Sequence, residues 1–435
     1  MWNRIKSIFN KENSPISKKS VNNNSLKEES YIKITEVSTN KNRVDFKFET
    51  SEDMDKYFIR KHMYSEYMNR PDIDLNSIPK SILIIPIFTN LLPVSWLCDC
   101  KLIVDNLDKT LYQSLNNIKE GYSKMYPSLS FKGSIEVKNV EDNTYEYEHE
   151  SISLFTYGVD SLTTVLRHLD EKSILTTIWG ADIHLSSADS WNNLYPSIDS
   201  FSKDFNLENI FIKSDFRQFM DTDVNLKNFL LNLDNNGNWW YTIQHGIALL
   251  GQVSVLAYYY RVKHVLIASS HSYAENEFLN KKIIPCASSP FLDNEFKFAS
   301  CSTIHDSYDL SRPDKLDLIM NYSKKSNVNF NLHVCWLSKT GFNCCVCEKC
   351  SRTLMYILAK NENPKNYGFD IDDEVLKTIE RNFKKNLYDK EKVPGWSMHP
   401  VTLSYWKCNQ EAFKENYDYW KDSSVSWILM LILMT

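Results

Sequence analysis

The chain has 435 residues and a formal net charge of −5, with 43% apolar and 24% charged residues. That length suits about two or three domains with sizeable cores. The acidic balance disfavours a protein that grips nucleic acid broadly and without sequence preference, because such binding needs a basic surface.

The two ends of the chain differ in character. Residues 1–30 are rich in Asn, Ser and Lys, which predicts a disordered leader without the apolar centre of a signal peptide. The apolar run at residues 427–434 is far shorter than the roughly 20 residues that cross a bilayer, so we expect a buried tail and no membrane span. Ten cysteines without an export signal indicate reduced thiols or metal ligands in a cytoplasmic protein.

The first region, residues 31–150, has the pattern of a small α/β domain. Alternating apolar residues at 31–35 and 44–48 predict an antiparallel pair of strands, and residues 130–137 alternate again. Between them, apolar residues recur every three or four positions from Leu107 to Met125, which predicts a helix.

From residue 151 to residue 366 the pattern changes to alternating strands and helices. Short apolar runs at 152–156, 174–178, 210–212, 265–268 and 332–336 are separated by helical patterns. Such runs predict an α/β fold with a doubly wound, mainly parallel sheet. The charged and aromatic residues 367–435 predict a helical extension that packs on this core.

The richest local pattern lies where the first of these strands runs into a helix. Gly158 stands in the turn, and Ser161 follows at the predicted start of the helix. A helix N-terminus at the carboxyl edge of a parallel sheet offers free N–H groups to a phosphate. Gly158 allows close approach and Ser161 adds a hydroxyl donor, whereas the anionic Asp160 is expected to bind magnesium or shape the turn.

The segment Thr156-Tyr157-Gly158-Val159-Asp160-Ser161 resembles the PP-loop of the N-type ATP pyrophosphatases, whose usual form is Ser-Gly-Gly-Val-Asp-Ser. The resemblance implies that these residues bind the β,γ-pyrophosphate of ATP. Thr156 keeps the hydroxyl of the family's serine, whereas Tyr157 replaces a glycine and is expected to crowd the phosphate side. Trp179 and Gly180 end the next strand, where this family places the turn beneath adenine. A purely structural strand–turn–helix corner is the alternative.

Four cysteines form the most specific motif of the chain. Cys335, Cys344, Cys347 and Cys350 have the spacing of a closed, tetrahedral zinc site that stabilises structure and leaves no position for catalysis. Chance clustering, or a redox pair of Cys344 and Cys347, is the alternative. Cys345 is left over, as a packed thiol or a sulfur carrier.

This cysteine spacing after a PP-loop region resembles the zinc signature of the 7-cyano-7-deazaguanine synthase family. A group of bacterial relatives of that family also has counterparts of residues 305–315. The resemblance covers roughly residues 150–365, and it implies a lysine near the phosphates, for which Lys315 is the candidate.

Further polar residues are expected at the same edge of the sheet. Arg312 and Lys315 share one face of a helix that Ser311 caps, where they can clamp phosphates as pyrophosphate leaves. Gln244-His245-Gly246 precedes an apolar helix, and Ser269-Ser270-His271 follows a strand. Both are candidates for contacts with substrate or nucleotide.

Together these features predict an enzyme that uses ATP and magnesium to adenylate a carboxylate or amide, so that an amine, ammonia or a sulfur nucleophile can displace AMP. Its substrate would be a small molecule, nucleobase-like or a peptide, and a protein partner or a homodimer is possible. One alternative is sulfur transfer through Cys345, Cys286 or Cys301. The other is a degenerate PP-loop protein that only binds a nucleotide or a partner, which Thr156 and Tyr157 favour.

Overall fold

The computed structural model describes residues 29–233, 237–281, 283–337 and 340–431. Nearly all of the predicted leader, and the last residues of the apolar tail, lie outside these ranges. None of the helices within them combines the length and apolar character that a bilayer crossing needs.

The described residues form an α/β structure around one large, mostly parallel sheet of eleven strands. The strands are β1 (Tyr31–Asn40), β2 (Arg43–Thr50), β3 (His62–Tyr67), β4 (Lys101–Asp108), β5 (Ser134–Glu141), β6 (His149–Leu154), β7 (Ile174–Trp179), β8 (Asn209–Ser214), β9 (Val262–Ala268), β10 (Lys297–Phe298) and β11 (Cys301–Asp306). Their order across the sheet is β10-β11-β9-β6-β7-β8-β3-β2-β1-β4-β5.

Helices cover this sheet on both faces. They are α1 (Lys80–Leu83), α2 (Ile85–Leu97), α3 (Lys109–Met125), α4 (Val159–Arg167), α5 (Ala188–Asp204), α6 (His245–Tyr259), α7 (Tyr273–Phe278), α8 (Pro290–Asp293), α9 (Arg312–Ser326), α10 (Glu348–Ala359), α11 (Asp373–Leu387), α12 (Pro400–Glu415) and α13 (Tyr417–Trp420). Strands Ile174–Trp179 and Asn209–Ser214 are buried on both faces, as their continuous apolar patterns predict.

The strand order creates a crevice at one point of the parallel part. From β6 the chain moves outward to β7 and β8, and then returns through α6 to β9 on the opposite side of β6. Ile152 of β6 therefore lies between Ile174 of β7 and Val265 of β9. Ligands bind in open α/β sheets at such a switch point, outside the carboxyl ends of the strands.

Two hydrophobic cores lie on the two faces of the sheet. Ile174 and Ile178 belong to the core that includes α2, α3 and α6. Leu175 belongs to the other core, with α4, α5, α9 and the C-terminal helices. Successive residues of β7 point to opposite faces of the sheet and so belong to different cores. Helices α4 and α6, which flank the switch point, therefore lie on opposite faces of the sheet.

The N-terminal strands continue the same sheet. Strand β3 pairs antiparallel with β8, with Tyr67 opposite Ile212, so the two halves share hydrogen bonds across the joint. Helices α2 and α6 also pack closely, because a Cβ at Gly251 would collide with the side chain of Thr89. The boundary expected between residues 150 and 151 falls within β6.

The strand expected at residues 332–336 is wrong, since this segment has irregular backbone. The side chain of Asn343 takes the place of a neighbouring strand. Its Oδ1 accepts from the N–H groups of Val334 (3.1 Å) and Cys335 (3.2 Å), and its Nδ2 donates to the carbonyl of Leu332 (2.7 Å). A side-chain amide thereby satisfies backbone groups that a sheet would otherwise pair.

The C-terminal part after residue 367 is helical and packs on the α4 face. Its apolar tail ends in the turn Ser426–Met430, where Trp427 and Ile428 are buried. The side-chain amide of Gln410 on α12 donates to the carbonyls of Ile428 (3.0 Å) and Leu431 (2.8 Å). In the described part of the tail, Trp427, Ile428 and Leu431 are thus buried in or after a single helical turn, whereas Met430 is exposed.

Candidate functional site

A cavity of about 480 Å³ lies at the switch point between β6 and β9. This volume is within the range of about 300–1,000 Å³ that is typical of small-molecule sites. The cavity brings together most of the expected ligand residues, namely Thr156, Gly158, Val159, Asp160, Ser161, His245, Ser270 and Arg312.

The turn between β6 and α4 forms one wall of the cavity. The hydroxyl of Ser161 accepts from the N–H of Thr156 and donates to the carbonyl of Gly158, each at 3.3 Å, which closes the loop. The first hydrogen bond within α4 is donated by Leu162 to Gly158, so the N–H groups of Val159, Asp160 and Ser161 have no carbonyl partner in the helix. The loop therefore presents the partial positive charge of a helix start to the cavity.

Tyr157 does not crowd this loop, and that expectation was wrong. Its ring does not line the cavity but packs against Phe155 (5.4 Å between centroids) and Phe201 (5.1 Å). Its hydroxyl accepts from the N–H of Asn331 at 3.2 Å, and its carbonyl accepts from His333 at 2.8 Å. Tyr157 has a φ of 60°, in the left-handed region that glycine usually occupies. The backbone of this turn therefore has the conformation that a glycine would allow.

Asp160 lies between two cations of α9. Its Oδ2 accepts from Arg312 Nη2 and its Oδ1 from Lys315 Nζ, both at 3.0 Å. Burial alone would raise the pKa of this carboxyl, but the charges of Arg312, Lys315 and Lys349 outweigh burial and hold the pKa well below its usual range. Both oxygens of Asp160 are thus occupied by cations, which leaves it better suited to positioning Arg312 and Lys315 than to binding magnesium.

The helix that carries these cations begins as its sequence predicts. The hydroxyl of Ser311 accepts from the N–H of Asp314, and the carboxylate of Asp314 accepts from the N–H of Ser311 at 2.9 Å, which completes a capping box. Lys315 is buried outside the cavity lining, where it also donates to the carbonyl of Ser269 at 2.5 Å. It therefore links α9 to the end of β9.

Arg312 is the cation of α9 that borders the cavity. Its side chain is 8% exposed and lines the cavity, yet among the described residues its Nε and Nη1 have no hydrogen-bond partner. Burying unpaired guanidinium nitrogens is costly unless an acceptor satisfies them. Both nitrogens are also closed to solvent in this structure, so an anion in the cavity would reach them only after neighbouring side chains move.

Lys349 is a second cation in the cavity wall that sequence reasoning missed. Lys349 lies inside the cysteine motif, between two of the expected metal ligands. Apart from that position, the sequence gives no indication that this lysine borders a cavity. Burial lowers its pKa, and the neighbouring charge of Arg312 acts in the same direction. Nothing in the described part of the chain forms an ion pair with it.

The turn after β7 forms the opposite part of the cavity. Trp179 and Gly180 do not line it themselves; the following residues 181–184 do. Trp179 stacks on Trp191 with 5.2 Å between ring centroids. Gly180 has a φ of 113°, and a Cβ there would collide with the carbonyl of Ser214, so the tight turn requires glycine.

The remaining expected contacts divide into structural and cavity-lining residues. Gln244 is buried and structural, since its Nε2 donates to Asn90 Oδ1 at 2.6 Å and to the carbonyl of Phe216 at 3.1 Å. His245 and Ser270 do line the cavity. His271 lies beside it, and burial lowers its pKa to about 4.

The four expected cysteines meet in one cluster. Their sulfur atoms all lie within 4.8 Å of one another, with 3.9 Å between Cys335 and Cys347 and 4.0 Å between Cys344 and Cys350. Four sulfurs at about 2.3 Å from one tetrahedral zinc would be about 3.8 Å apart. The four-cysteine cluster can therefore bind a structural metal such as zinc. It borders the cavity through Cys335, and Lys349 follows from the same turn.

The other thiols are poorly placed for chemistry. Cys286, Cys301 and Cys345 are buried, and none of them lines the cavity. Burial raises the pKa values of Cys286 and Cys301 to about 12, so both are protonated and weakly nucleophilic at neutral pH.

The site has no counterpart that would assign its activity by similarity. Comparison of the chain with protein-family models, with curated proteins and with solved structures gives no match.

Proposed function

We propose that this protein is an ATP-dependent adenylating enzyme of the PP-loop type, which releases pyrophosphate and activates a carboxylate or amide. The observation that carries the proposal is Arg312, a nearly buried guanidinium with two unpartnered nitrogens beside the free N-terminus of α4. Both lie in one cavity at the switch point of the sheet. This combination suits a polyphosphate better than any neutral ligand.

Each group of the cavity has a role in this reaction. The N–H groups of Val159, Asp160 and Ser161 bind pyrophosphate oxygens, and Arg312 and Lys349 neutralise the charge that develops as pyrophosphate leaves. The side chains of Asp160 and Lys315 hold Arg312 in place. Since both Asp160 oxygens are engaged, magnesium would be held chiefly by the phosphates and water, which is its usual mode at nucleotide sites.

The position of the cysteine cluster supports a structural metal in this scheme. A bound zinc would fix the turn that carries Lys349 and the irregular segment that carries Cys335. Such a metal orders one wall of the cavity, and all four of its positions are filled by protein.

The direct test is to incubate the full-length protein with ATP, Mg²⁺ and panels of carboxylic acids and amines, and to identify the nucleotide products. AMP and pyrophosphate are expected, whereas ADP and phosphate would contradict the mechanism. ATP affinity, measured by calorimetry, needs no second substrate. We expect Arg312→Gln to weaken it at least about tenfold, as the loss of a charge-assisted contact predicts.

A matched control is Arg381→Gln, which removes the same charge from an exposed position on α11. It should leave ATP affinity unchanged. Equal weakening by both substitutions would mean that only the net charge matters, and the proposed phosphate site would be wrong. Binding of ATP without formation of AMP would instead favour the alternative that the protein only binds a nucleotide. The pairing of both Asp160 oxygens with cations also fits that alternative.

A further inference from the structure

The side of the cavity opposite the phosphate loop contains a histidine that the proposed reaction has not yet used. His245 is the first residue of α6, which lies on the other face of the sheet from α4, and it lines the same cavity. Its ring packs edge-on against Trp240, with 4.8 Å between centroids. Among the described residues, neither ring nitrogen has a hydrogen-bond partner, and neither is sealed from the cavity.

The surroundings of His245 keep it neutral. Burial lowers its pKa, so the imidazole is unprotonated at pH 7. The charged or titratable groups that face it are Asp182 after β7, Arg217 after β8, Asp293 of α8 and His305 of β11. Asp293 accepts from His305 and Ser288 through Oδ2 and does not line the cavity. Arg217 donates to the carbonyl of Ala181 and lies over Trp240.

Asp182 is the carboxylate left available at this end of the cavity. Asp160 and Asp182 both line the cavity, but only Asp160 is bound by cations. Asp182 makes no ion pair within the described ranges, and among the charged groups around His245 it acts most strongly on the pKa of that ring. Asp182 is solvent-exposed, and an unpaired carboxylate that lines the same cavity as a neutral imidazole attracts a cation and repels an anion.

We propose that the nucleophile of this enzyme is ammonia or a primary amine, bound as its ammonium ion by Asp182 and deprotonated by His245. This inference rests on the proposed adenylation, because it names the second substrate of that reaction. A sulfur nucleophile is disfavoured, since sulfide and thiolates are anions that Asp182 would repel. Magnesium at Asp182 is disfavoured as well, because the neighbouring donors are nitrogens and magnesium prefers oxygen.

The step balances without a further reactant. An aliphatic ammonium, with a pKa of about 10, carries no lone pair at neutral pH, so one proton must first pass to His245. The amine nitrogen then forms a bond to the activated carbon, and the bond from that carbon to the AMP oxygen breaks, with the electron pair leaving on AMP. The second proton on nitrogen passes to water as AMP departs.

The test measures amine binding directly, so it does not depend on the first substrate. The full-length protein, labelled with ¹⁵N-histidine, is titrated with n-butylammonium in the presence and absence of ATP and Mg²⁺. His245→Gln identifies the His245 signals. We expect butylammonium to shift these signals saturably at pH 7, with His245 in the neutral form.

Substitution of the carboxylate provides the decisive comparison. Asp182→Asn should weaken butylammonium binding about three- to fivefold, as the loss of one solvent-exposed charge pair predicts. Asp189→Asn removes the same charge from an exposed site nearby that does not line the cavity, and it should bind the amine like the unsubstituted protein.

Several results would overturn the inference. They are a protonated His245 at pH 7, an unchanged affinity in Asp182→Asn, or His245 signals that respond to hydrosulfide or to Mg²⁺ alone and not to the amine. Failure of the proposed function would look different. In that case ATP would not bind, or would give ADP, while amine binding in the absence of ATP could still be measured.

Discussion

At the scale of single residues, the turn between β6 and α4 has a tyrosine where the PP-loop pattern that it resembles has glycine. Tyr157 adopts a left-handed backbone, which a side chain usually disfavours by about 1–2 kcal/mol. The buried ring recovers this cost by packing with Phe155 and Phe201 and by accepting a hydrogen bond from Asn331. The substitution therefore changes what stabilises the loop and leaves its path open to a ligand.

We predict that Tyr157→Gly, although it brings the turn closer to the PP-loop pattern that it resembles, destabilises the protein by about 2–3 kcal/mol. Loss of a large buried aromatic side chain typically costs about 3–5 kcal/mol, which exceeds the relief of the left-handed strain. Chemical denaturation of both proteins measures the difference.

Tyr157→Phe is the matched control for this prediction. It removes only the hydroxyl, and it should cost about 1 kcal/mol through the lost hydrogen bond from Asn331. If the glycine variant were as stable as the unsubstituted protein, backbone strain would outweigh packing and our account of the loop would be wrong.

At the scale of elements, a buried polar network ties the end of α4 to the end of β11. His168 contacts Asp306 at 3.2 Å and Glu171 at 2.6 Å, and Asp306 also accepts from Thr164 and Ser307. The hydrogen bond to Asp306 raises the pKa of His168 to about 9, with Glu171 adding to it against the effect of burial. The network fixes α4, and with it the N-terminus that faces the cavity.

This network predicts a pH dependence of stability. Since the folded protein raises the pKa of His168 from 6.5 to about 9, its contribution is complete below pH 6.5 and disappears as the pH rises through 9. The difference in melting temperature between the unsubstituted protein and His168→Gln should therefore shrink over that window. A difference that stays constant from pH 6 to pH 10 would show that His168 is not charged in the folded state.

The segment between the cysteines is the second element on which the site depends. We predict that the purified protein binds about one zinc per chain, and that its removal by a chelator lowers both the melting temperature and the affinity for ATP. The reason is that Cys335 and Lys349 belong to the cavity wall. Metal analysis and calorimetry measure the two effects.

Cys345→Ser and Cys347→Ser form a matched pair within this segment. Only Cys347 belongs to the four-sulfur cluster, so only its loss should abolish zinc binding. Retention of zinc by Cys347→Ser, or its loss from Cys345→Ser, would contradict the assigned ligands.

At the scale of the whole molecule, the N-terminal part and the cavity-bearing part share one sheet. The pairing of β3 with β8 and the packing of α2 on α6 cover surfaces that would otherwise be exposed. An exposed strand edge and an apolar helix face both promote aggregation. The N-terminal part thus contributes to the fold that holds the site, whatever else it does.

We predict that residues 149–435 produced alone are insoluble or lack a cooperative unfolding transition. Coexpression with residues 1–148 should restore solubility, because β3 and α2 then cover β8 and α6. Solubility and circular dichroism during heating provide the measurement. A fragment that melts cooperatively at the temperature of the full chain would show that the joint contributes little.

Much of the site was visible in the sequence because its signals are local. The spacing of the four cysteines, the Gly158 turn and the Ser311 cap are patterns in which neighbouring residues determine their own geometry. The strand–helix rhythm likewise determined the α/β class and four strands of the parallel core, since periodic burial follows from short-range geometry.

Only the tertiary structure decided which distant residues meet. The ion pairs of Asp160 join residues more than 150 positions apart. They engage both oxygens of a carboxylate that was expected to bind magnesium or shape the turn. Likewise, Asn343 replaced an expected strand, and the strand order brought His245 and Asp182 into the same cavity as the turn before α4. Such contacts depend on crossover connections and on packing across the sheet, which leave no periodic trace along the chain.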